Sequence, residues 1–439
     1  MYKISSLSNG LKLITAPMRG TKTATILVMV GTGAKYENRK NNGISHFLEH
    51  LFFKGTIGRP TTLSISSELD GVGAEYNAFT GKEYTGYWVK VNNEKLELAF
   101  DVVSDMLLNS KFDAAEIERE RGVIIEEYNM YLDNPMMHIE DVFEECLYGD
   151  IPAGWDTIGT KSNILNLRQN DFLKYLNSQY TPKNITVCVA GNIKQNNKII
   201  ALAKKYFTGA GFNRRGNNFA EKLAVIEKQD RPAIKLHYKK TDQAHLSLGV
   251  RAFGYSHKDK LIAKLIAIIL GGSMSSRLFI SLRERQGLAY YVRAELENYT
   301  DSGYLTTRAG VPVSKIGAAI KIILDEYRKL KSKLVDAKEL KRTKDLIFGR
   351  MAIQLEASDN LANWYGRQSV LSETIKRTEK IFKEKIITPE ENLKAMRLIK
   401  SSDIKRVAKD IFVNKKLNLA VIGPYQGKEK DVFEKMLKI

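Results

Sequence analysis

The feature that most constrains this chain is the stretch of residues 44–53, which reads Ile-Ser-His-Phe-Leu-Glu-His-Leu-Phe-Phe. On a helix, His46 and His50 lie one turn apart on the same face, so that two imidazoles can reach one metal ion with Glu49 beside them. With 6 histidines and 50 acidic residues among 439, a His-x-x-acid-His pattern arises by chance in on the order of one chain in a hundred. The stretch therefore predicts a helix that carries a metal site.

The order of these residues is that of the inverted zincin motif, in which two histidines bind zinc and the glutamate acts as a general base toward water. A hydrolytic zinc centre usually has three protein ligands, so another ligand should come from elsewhere in the chain. The best supplier is the segment 120–127. There Glu120 and Glu127 share one helix face, whereas Glu126 is turned from Glu127 by roughly 100° and competes with it for the metal.

A polar, turn-rich stretch, residues 37–43, leads into the histidine helix. Asn41, Asn42 or Ser45 could cap the first turn of that helix, because their side chains can accept hydrogen bonds from its free N–H groups.

At this point the chain resembles the M16, or pitrilysin-type, metallopeptidases. This family includes the mitochondrial processing peptidase with its catalytic subunit, insulin-degrading enzyme and short bacterial processing proteases. Besides the first motif, residues 51–56 (Leu-Phe-Phe-Lys-Gly-Thr) resemble its continuation, and residues 282–290 (Leu-Arg-Glu-Arg-Gln-Gly-Leu-Ala-Tyr) resemble the family's paired arginine and tyrosine. The resemblance runs from about residue 8 to about residue 424.

The resemblance implies roles for the residues of the metal site. It implies zinc ligands at His46, His50 and Glu127, and a catalytic base at Glu49. Glu120 matches the family's second glutamate, and we expect it to orient a ligand, since metal ligands are normally held by outer partners.

The resemblance also implies that Arg283 and Tyr290 contact the carbonyl region of the substrate. Both lie far along the chain from the metal motif. We therefore expect them to complete the active site of a partner subunit, in a homodimer or in a heterodimer with a related M16 chain.

The segment Asn77, Ala78, Phe79 and Thr80 resembles the substrate-binding edge strand of the family. An extended peptide would add to such a strand through backbone hydrogen bonds. For Phe79 the sequence favours ordinary sheet packing as much as substrate binding, because residues 75–92 alternate as a strand pair rich in aromatic side chains.

The length of 439 residues favours two domains over one. The resemblance implies an α+β fold with two related α/β domains of the LuxS/MPP-like type, each a mostly antiparallel sheet covered by helices. We expect a zinc-binding catalytic domain at 1–209, a linker at 210–228 and a homologous domain without a metal site at 229–439. In that second half the order of elements repeats, but Arg350 stands at the position equivalent to Glu127.

Composition excludes several other classes of protein. The longest apolar run, residues 261–270, is too short for a bilayer, and the N-terminus has neither a signal nor a transit pattern. We therefore expect a soluble, cytoplasmic protein that is not inserted in a membrane. Cys146 and Cys188 have no C-x-x-C partner, which excludes a disulfide scaffold.

The net charge of +19 comes from lysines spread along the chain without a nucleic-acid-binding motif, so we expect no nucleic-acid partner. Residues 113–145 are different, since they hold eleven acidic residues and two arginines. This acidic segment favours basic peptides, such as presequence-like ones, as substrates.

The sequence therefore predicts a zinc-dependent (Zn2+) endopeptidase that cleaves flexible or unfolded peptides, with Glu49 as general base toward a metal-activated water. The alternative is a non-catalytic, peptide-binding subunit of an M16-type heterodimer. The intact set of His46, Glu49, His50 and Glu127 argues against that alternative.

Overall fold

The computed structural model describes residues 2–209, 219–378 and 385–439. The described strands are β1 (Lys3–Ser6), β2 (Lys12–Pro17), β3 (Thr23–Val30), β4 (Glu75–Thr80), β5 (Thr85–Asn92), β6 (Ile185–Gly191), β7 (Ala233–Tyr238), β8 (Gln243–Arg251), β9 (Tyr291–Asn298), β10 (Gly303–Pro312) and β11 (Leu417–Gly423).

The described helices lie singly or in groups between and after these strands. They are α1 (Ile44–Leu51), α2 (Thr62–Asp70), α3 (Leu96–Asn109), α4 (Ala114–Asp133), α5 (Pro135–Tyr148), α6 (Lys161–Asn166), α7 (Gln169–Gln179), α8 (Asn196–Phe207), α9 (Lys260–Gly271), α10 (Ile316–Ser332), α11 (Ala337–Gln354), α12 (Ser358–Thr378), α13 (Pro389–Leu398), α14 (Ser401–Ile411), α15 (Gly427–Met436) and a π-helical segment, Phe279–Glu284. Within the described ranges, none of them combines the length and the apolar character that a membrane crossing needs.

The strands form two sheets, of six and five strands, which have the same topology apart from the additional strand β1. The first sheet has the order β1-β2-β6-β3-β5-β4 and the second has the order β7-β11-β8-β10-β9. In each sheet one pair is parallel, β2 with β6 and β7 with β11, and the other pairs are antiparallel. The expected α+β architecture of two related domains, each a mostly antiparallel sheet with helices, is confirmed.

The two compact units of the fold do not follow the order of the chain. The first unit comprises the described residues within Met1–Tyr128, Asp156–Leu223 and Met351–Ile386, and the second comprises those within Asn129–Trp155, Ala224–Arg350 and Ile387–Ile439. The expected boundaries at 209 and 229 treat each domain as one continuous segment. In the structure, residues 129–155 belong to the second unit and residues 351–386 to the first. Of the expected linker, residues 219–228 contain neither helix nor strand, and residues 210–218 lie outside the described residues.

Helix α12 comes from the second half of the sequence but packs on the first sheet. The cluster that it forms contains residues of the helix and of three strands: Ala362, Tyr365, Val370, Ile14, Leu27, Met29 and Cys188. Hydroxyl pairs add specific contacts, such as Thr25 Oγ1 with Ser358 Oγ at 2.8 Å. A helix with an apolar stripe must bury it, but the stripe does not encode which sheet it will cover.

Helix α5 makes the reciprocal exchange, because it comes from the first half of the sequence and packs on the second sheet. Its apolar residues form a cluster with residues of β10 and β11 and with a loop tyrosine: Ile139, Val142, Phe143, Leu147, Tyr299, Tyr304, Ala420 and Ile422. The buried carboxylate of Glu144 accepts hydrogen bonds from the hydroxyl groups of Tyr299 and Tyr304 in this cluster.

The pleat of β5 separates the two faces of the first sheet. Trp88 packs with the α12 cluster, whereas its neighbour Tyr87 contacts Phe52, directly after α1, with ring centroids 5.1 Å apart. Phe52 is fully buried, and burial of such a ring contributes about 1.5–3 kcal/mol. The C-terminal end of α1 is thereby anchored to the sheet.

Candidate metal centre

Helix α1 presents two imidazoles on one face, as the i, i+4 spacing requires. The ring centroids of His46 and His50 lie 4.8 Å apart, with an angle of 62° between the ring planes. Both side chains are half-buried, while Phe47, Leu48 and Leu51 of the same helix are buried. Burial of this apolar face thus fixes the rotation of α1 about its own axis. In this rotation the two histidines point toward α4.

Helix α4 brings Glu127 to these two histidines. Glu127 Oε1 lies 3.6 Å from His46 Nε2, and Glu127 Oε2 lies 3.4 Å from His50 Nε2. The three side chains each offer one ligand atom, and these atoms all lie within 4.8 Å of one another. No second cluster of this kind occurs in the described parts of the chain.

The cluster fits a zinc ion. A tetrahedral zinc with ligands at 2.0–2.2 Å separates neighbouring ligand atoms by about 3.3–3.6 Å. Each imidazole Nε2 lies at about this separation from one oxygen of the Glu127 carboxylate, 3.6 Å for His46 and Oε1 and 3.4 Å for His50 and Oε2. Two imidazoles and one carboxylate are also a donor set of catalytic zinc sites, which keep a fourth position open.

Glu120 holds His50 from the side opposite to Glu127. Its Oε2 lies 3.1 Å from His50 Nδ1, and its Oε1 lies 2.6 Å from the ammonium of Lys54. Glu120 is only 2% exposed, so that its orientation is fixed by these two partners. A carboxylate on the far nitrogen of a ligand histidine sets the tautomer and the direction of the ring.

The electrostatics of the cluster favour a bound cation. Burial disfavours the charged form of His50, but hydrogen bonds and charges from Glu120 and Glu127 outweigh it and raise the pKa of His50 to about 9. Hydrogen bonds from His46 and His50 hold the pKa of Glu127 far below its ordinary value. A metal ion would take the place of the proton on His50, since it needs the neutral imidazole as a ligand.

Glu49 lies on the same helix between the two histidines and has a different partner. The hydroxyl of Thr80, the last residue of β4, donates a 2.5 Å hydrogen bond to Glu49 Oε2. Burial raises the pKa of Glu49, against the opposing effects of this hydrogen bond and of the two histidines. A carboxylate with a raised pKa beside a metal site is suited to accept and release a proton.

In the expected substrate-binding segment, the pleat of β4 directs neighbouring side chains to opposite faces of the sheet. Among the described strands, β4 pairs only with β5 and lies at the edge of the sheet. Thr80 faces Glu49, whereas the ring of Phe79 packs over Gly86 and lies 6.2 Å from the ring of Tyr84. Phe79 is therefore a packing residue of the sheet, and the backbone of β4 is the part that a peptide could pair with.

The remaining sequence-predicted residues are not members of the metal-ligand cluster. Glu126 is exposed on α4 and does not belong to the metal-ligand cluster, so the structure brings Glu127 and not Glu126 to the histidines. Arg283 and Tyr290 belong to the second compact unit. Both are exposed, with the Arg283 guanidinium 5.1 Å from the centre of the Phe279 ring.

Sequence reasoning missed three residues around the site. It gave no role to Lys54, although Lys54 is part of the quoted 51–56 motif, and it did not pair Thr80 with Glu49. It also expected Asn41, Asn42 or Ser45 to cap α1, but the side chain that reaches this helix end is that of Glu37. No local spacing signals a cap from seven residues before the helix.

Two family models match the chain. The model described as insulinase (peptidase family M16) matches residues 13–161, and the model described as peptidase M16 inactive domain matches residues 166–347.

Relatives match over nearly the whole length. A Bacillus subtilis protein, named uncharacterized zinc protease YmxG, is 34% identical over 88% of this chain and 92% of its own. An uncharacterized zinc protease of Mycobacterium leprae is 30% identical over 97% of this chain and 92% of its own. The crystal structure of a Helicobacter pylori protease, 24% identical, has a TM-score of 0.85 and covers 97% of this chain and 99% of its own. This last similarity concerns the fold.

Proposed function

Because the chain belongs to peptidase family M16, we propose that it is a zinc-dependent endopeptidase that cleaves flexible or unfolded peptides. The observation that carries the proposal is the convergence of His46, His50 and Glu127, whose ligand atoms all lie within 4.8 Å of one another. Glu49 on the same helix adds a group that can move a proton, which a metal-binding site without catalysis would not need.

Zinc, when bound, supplies Lewis acidity toward a peptide carbonyl and toward a water molecule. The residues of the chain do the rest. The Thr80 hydroxyl holds one oxygen of Glu49, which leaves the other oxygen to accept a proton from the attacking water and to deliver it to the leaving amine. Glu120 keeps His50 directed at the metal position through its Nδ1.

The edge position of β4 supports an extended substrate. A peptide that adds to this strand by backbone hydrogen bonds lies beside Thr80, and hence beside Glu49. Such pairing needs a substrate without fixed structure of its own. The proposed substrates are accordingly flexible peptides rather than folded domains.

The acidic segment gives weaker support for basic, presequence-like substrates than its charge suggests. Several of its acidic residues form ion pairs inside their own unit: Glu116 with Arg119, Glu118 with Arg121, Glu140 with Arg308 and Glu145 with Lys235. The segment is also divided between the two compact units, since its residues from 129 onward belong to the second.

The proposal is tested by mass spectrometry of the fragments produced from an unstructured peptide library. We expect internal cleavage that stops after treatment with a chelator and returns after addition of about one equivalent of zinc. Cleavage that survives complete removal of metal would contradict a zinc peptidase. Binding of peptides without cleavage by the zinc-loaded protein would favour the non-catalytic subunit instead.

We further propose that Arg283 and Tyr290 act on the substrate of a partner chain in a dimer. The support is their exposure, with Tyr290 73% exposed, and the resemblance of their segment to the family's paired arginine and tyrosine. Exposed side chains of this kind can donate hydrogen bonds to a peptide carbonyl.

If the proposed dimer forms, two inactive variants should restore peptidase activity when they are mixed. A mixture of Glu49→Gln chains with Arg283→Ala/Tyr290→Phe chains should form mixed dimers in which one of the two sites is complete. Random pairing of equal amounts makes half of the dimers mixed, so peptidase activity should return to roughly a quarter of wild type. Activity that stays at the level of the separate variants, after subunit exchange has been verified, would exclude action in trans.

A further inference from the structure

Helix α1 begins without a capping side chain of its own. Its N-cap residue is Gly43, which has a φ of 97° and makes no side-chain hydrogen bond. A Cβ at this position would lie 2.5 Å from the carbonyl oxygen of Ile158 and 2.9 Å from Gly159 Cα, so that no residue with a capping side chain fits there. The free N–H groups of the first turn must therefore find acceptors elsewhere.

The carboxylate of Glu37 supplies these acceptors. Its Oε2 accepts hydrogen bonds from the Gly43 N–H at 2.8 Å and from Asn42 Nδ2 at 3.0 Å, and its Oε1 accepts from the Ser45 N–H at 2.8 Å. Glu37 is 5% exposed. A negative charge at the N-terminus of a helix is stabilised by the helix dipole, which offsets part of the cost of burying the carboxylate.

The same helix turn is tied to the sheet by a chain of hydroxyl groups. Ser45 Oγ lies 2.7 Å from the hydroxyl of Tyr175 on α7, and that hydroxyl lies 2.9 Å from Thr32 Oγ1, just after β3. All of these groups are buried. The first turn of α1 is thus held at two points, the backbone by Glu37 and the Ser45 side chain by Tyr175.

The next residue, His46, lacks the support that His50 has. The Nδ1 atom of His50 is paired with Glu120, but the Nδ1 atom of His46 is buried and has no hydrogen-bond partner in the described parts of the chain. The direction of the His46 ring therefore depends on the backbone of the first turn, which directly precedes it.

We infer that Glu37 is a positioning residue of the metal centre: by anchoring the first turn of α1, it directs His46 Nε2 toward Glu127. This role rests on the zinc site proposed above. Glu37 does not itself contact the metal position. It acts through the Gly43 and Ser45 N–H groups, whereas Glu120 contacts the ring of His50 directly.

The Glu37→Gln variant tests this role. The amide has the size of the carboxylate, but its NH2 group must face an N–H donor of the helix turn, so that one hydrogen bond is replaced by a repulsive contact. We expect the affinity for zinc, measured by competition with a chromogenic chelator, to fall by roughly 10- to 100-fold. The visible absorption bands of the cobalt-substituted protein should shift, because they report the geometry of the ligands.

Glu144→Gln is the matched control, since Glu144 is 3% exposed and lies in the second compact unit. It should lower the melting temperature but leave the zinc affinity and the cobalt spectrum unchanged. A Glu37→Gln protein that is destabilised in the same way, but binds zinc within about twofold of wild type, would overturn the role of Glu37. A wild-type protein that binds no zinc would instead refute the metal site itself, and this role with it.

Glu37→Asp decides the question if Glu37→Gln does not fold. This change keeps the negative charge at the start of α1 but shortens the side chain by one methylene group, so that the carboxylate no longer reaches both the Gly43 and the Ser45 N–H groups at hydrogen-bond distance. We expect zinc affinity to fall threefold or more, with the same direction of change in the cobalt spectrum. Unchanged zinc affinity in this variant would overturn the inference.

Discussion

The Glu49→Gln protein is expected to keep its full zinc content and to lose peptide turnover by about two to four orders of magnitude, the usual contribution of a general base. The glutamine fills the same space and can still accept the hydrogen bond from Thr80 through its amide oxygen. It cannot take up the proton of the attacking water. The measurement is kcat for an unstructured peptide, together with zinc per chain by atomic emission.

Glu126→Gln is the control for this experiment, because Glu126 is an exposed glutamate outside the metal-ligand cluster. It should retain both zinc and turnover. If Glu49→Gln loses zinc as well, the lost turnover would not identify the base. Turnover within about threefold of wild type, with zinc in place, would show that another group accepts the proton.

The second large effect is the loss of metal when a ligand is removed. Glu127→Ala and His50→Ala leave only two ligands for the ion, so the zinc content after dialysis should fall from about one per chain to near zero. Since metal binding is coupled to folding, the melting temperature of these variants should also no longer rise when zinc is added.

Two further variants make the result specific. Glu126→Ala should retain zinc, because that side chain is exposed and outside the metal-ligand cluster. Glu120→Gln should bind zinc about 10- to 100-fold more weakly without losing it altogether. Full zinc content in Glu127→Ala combined with loss in Glu126→Ala would transfer the third ligand to Glu126. Full content in both His50→Ala and Glu127→Ala would refute the metal site.

Much of the fold could be predicted wherever the pattern is local. The strand pair expected within 75–92 is present, as β4 and β5. A local pattern does not mark every break, since residues 161–179 form two helices, α6 and α7, separated at residues 167–168.

The exchange of α5 and α12 could not be predicted from the sequence. Both helices have an apolar face that must be buried, and each half of the chain has a sheet that can cover it. The helical period gives the width of the apolar stripe but not its partner. Complementary details that distinguish the two sheets, such as the Thr25–Ser358 hydroxyl pair, appear only after the chain has folded.

For the proposed metal centre, the sequence by itself predicted that His46 and His50 share one face of α1, and the resemblance to the family selected Glu127 on α4 as the third ligand. Spacings of three, four and seven residues on a helix fix which side chains point the same way, and this geometry needs no tertiary contact. Only the tertiary structure decided which groups support those ligands. Glu37 and Lys54 reach the site from the turns before and after α1, and Thr80 reaches it from β4. Their positions depend on how these elements pack against one another.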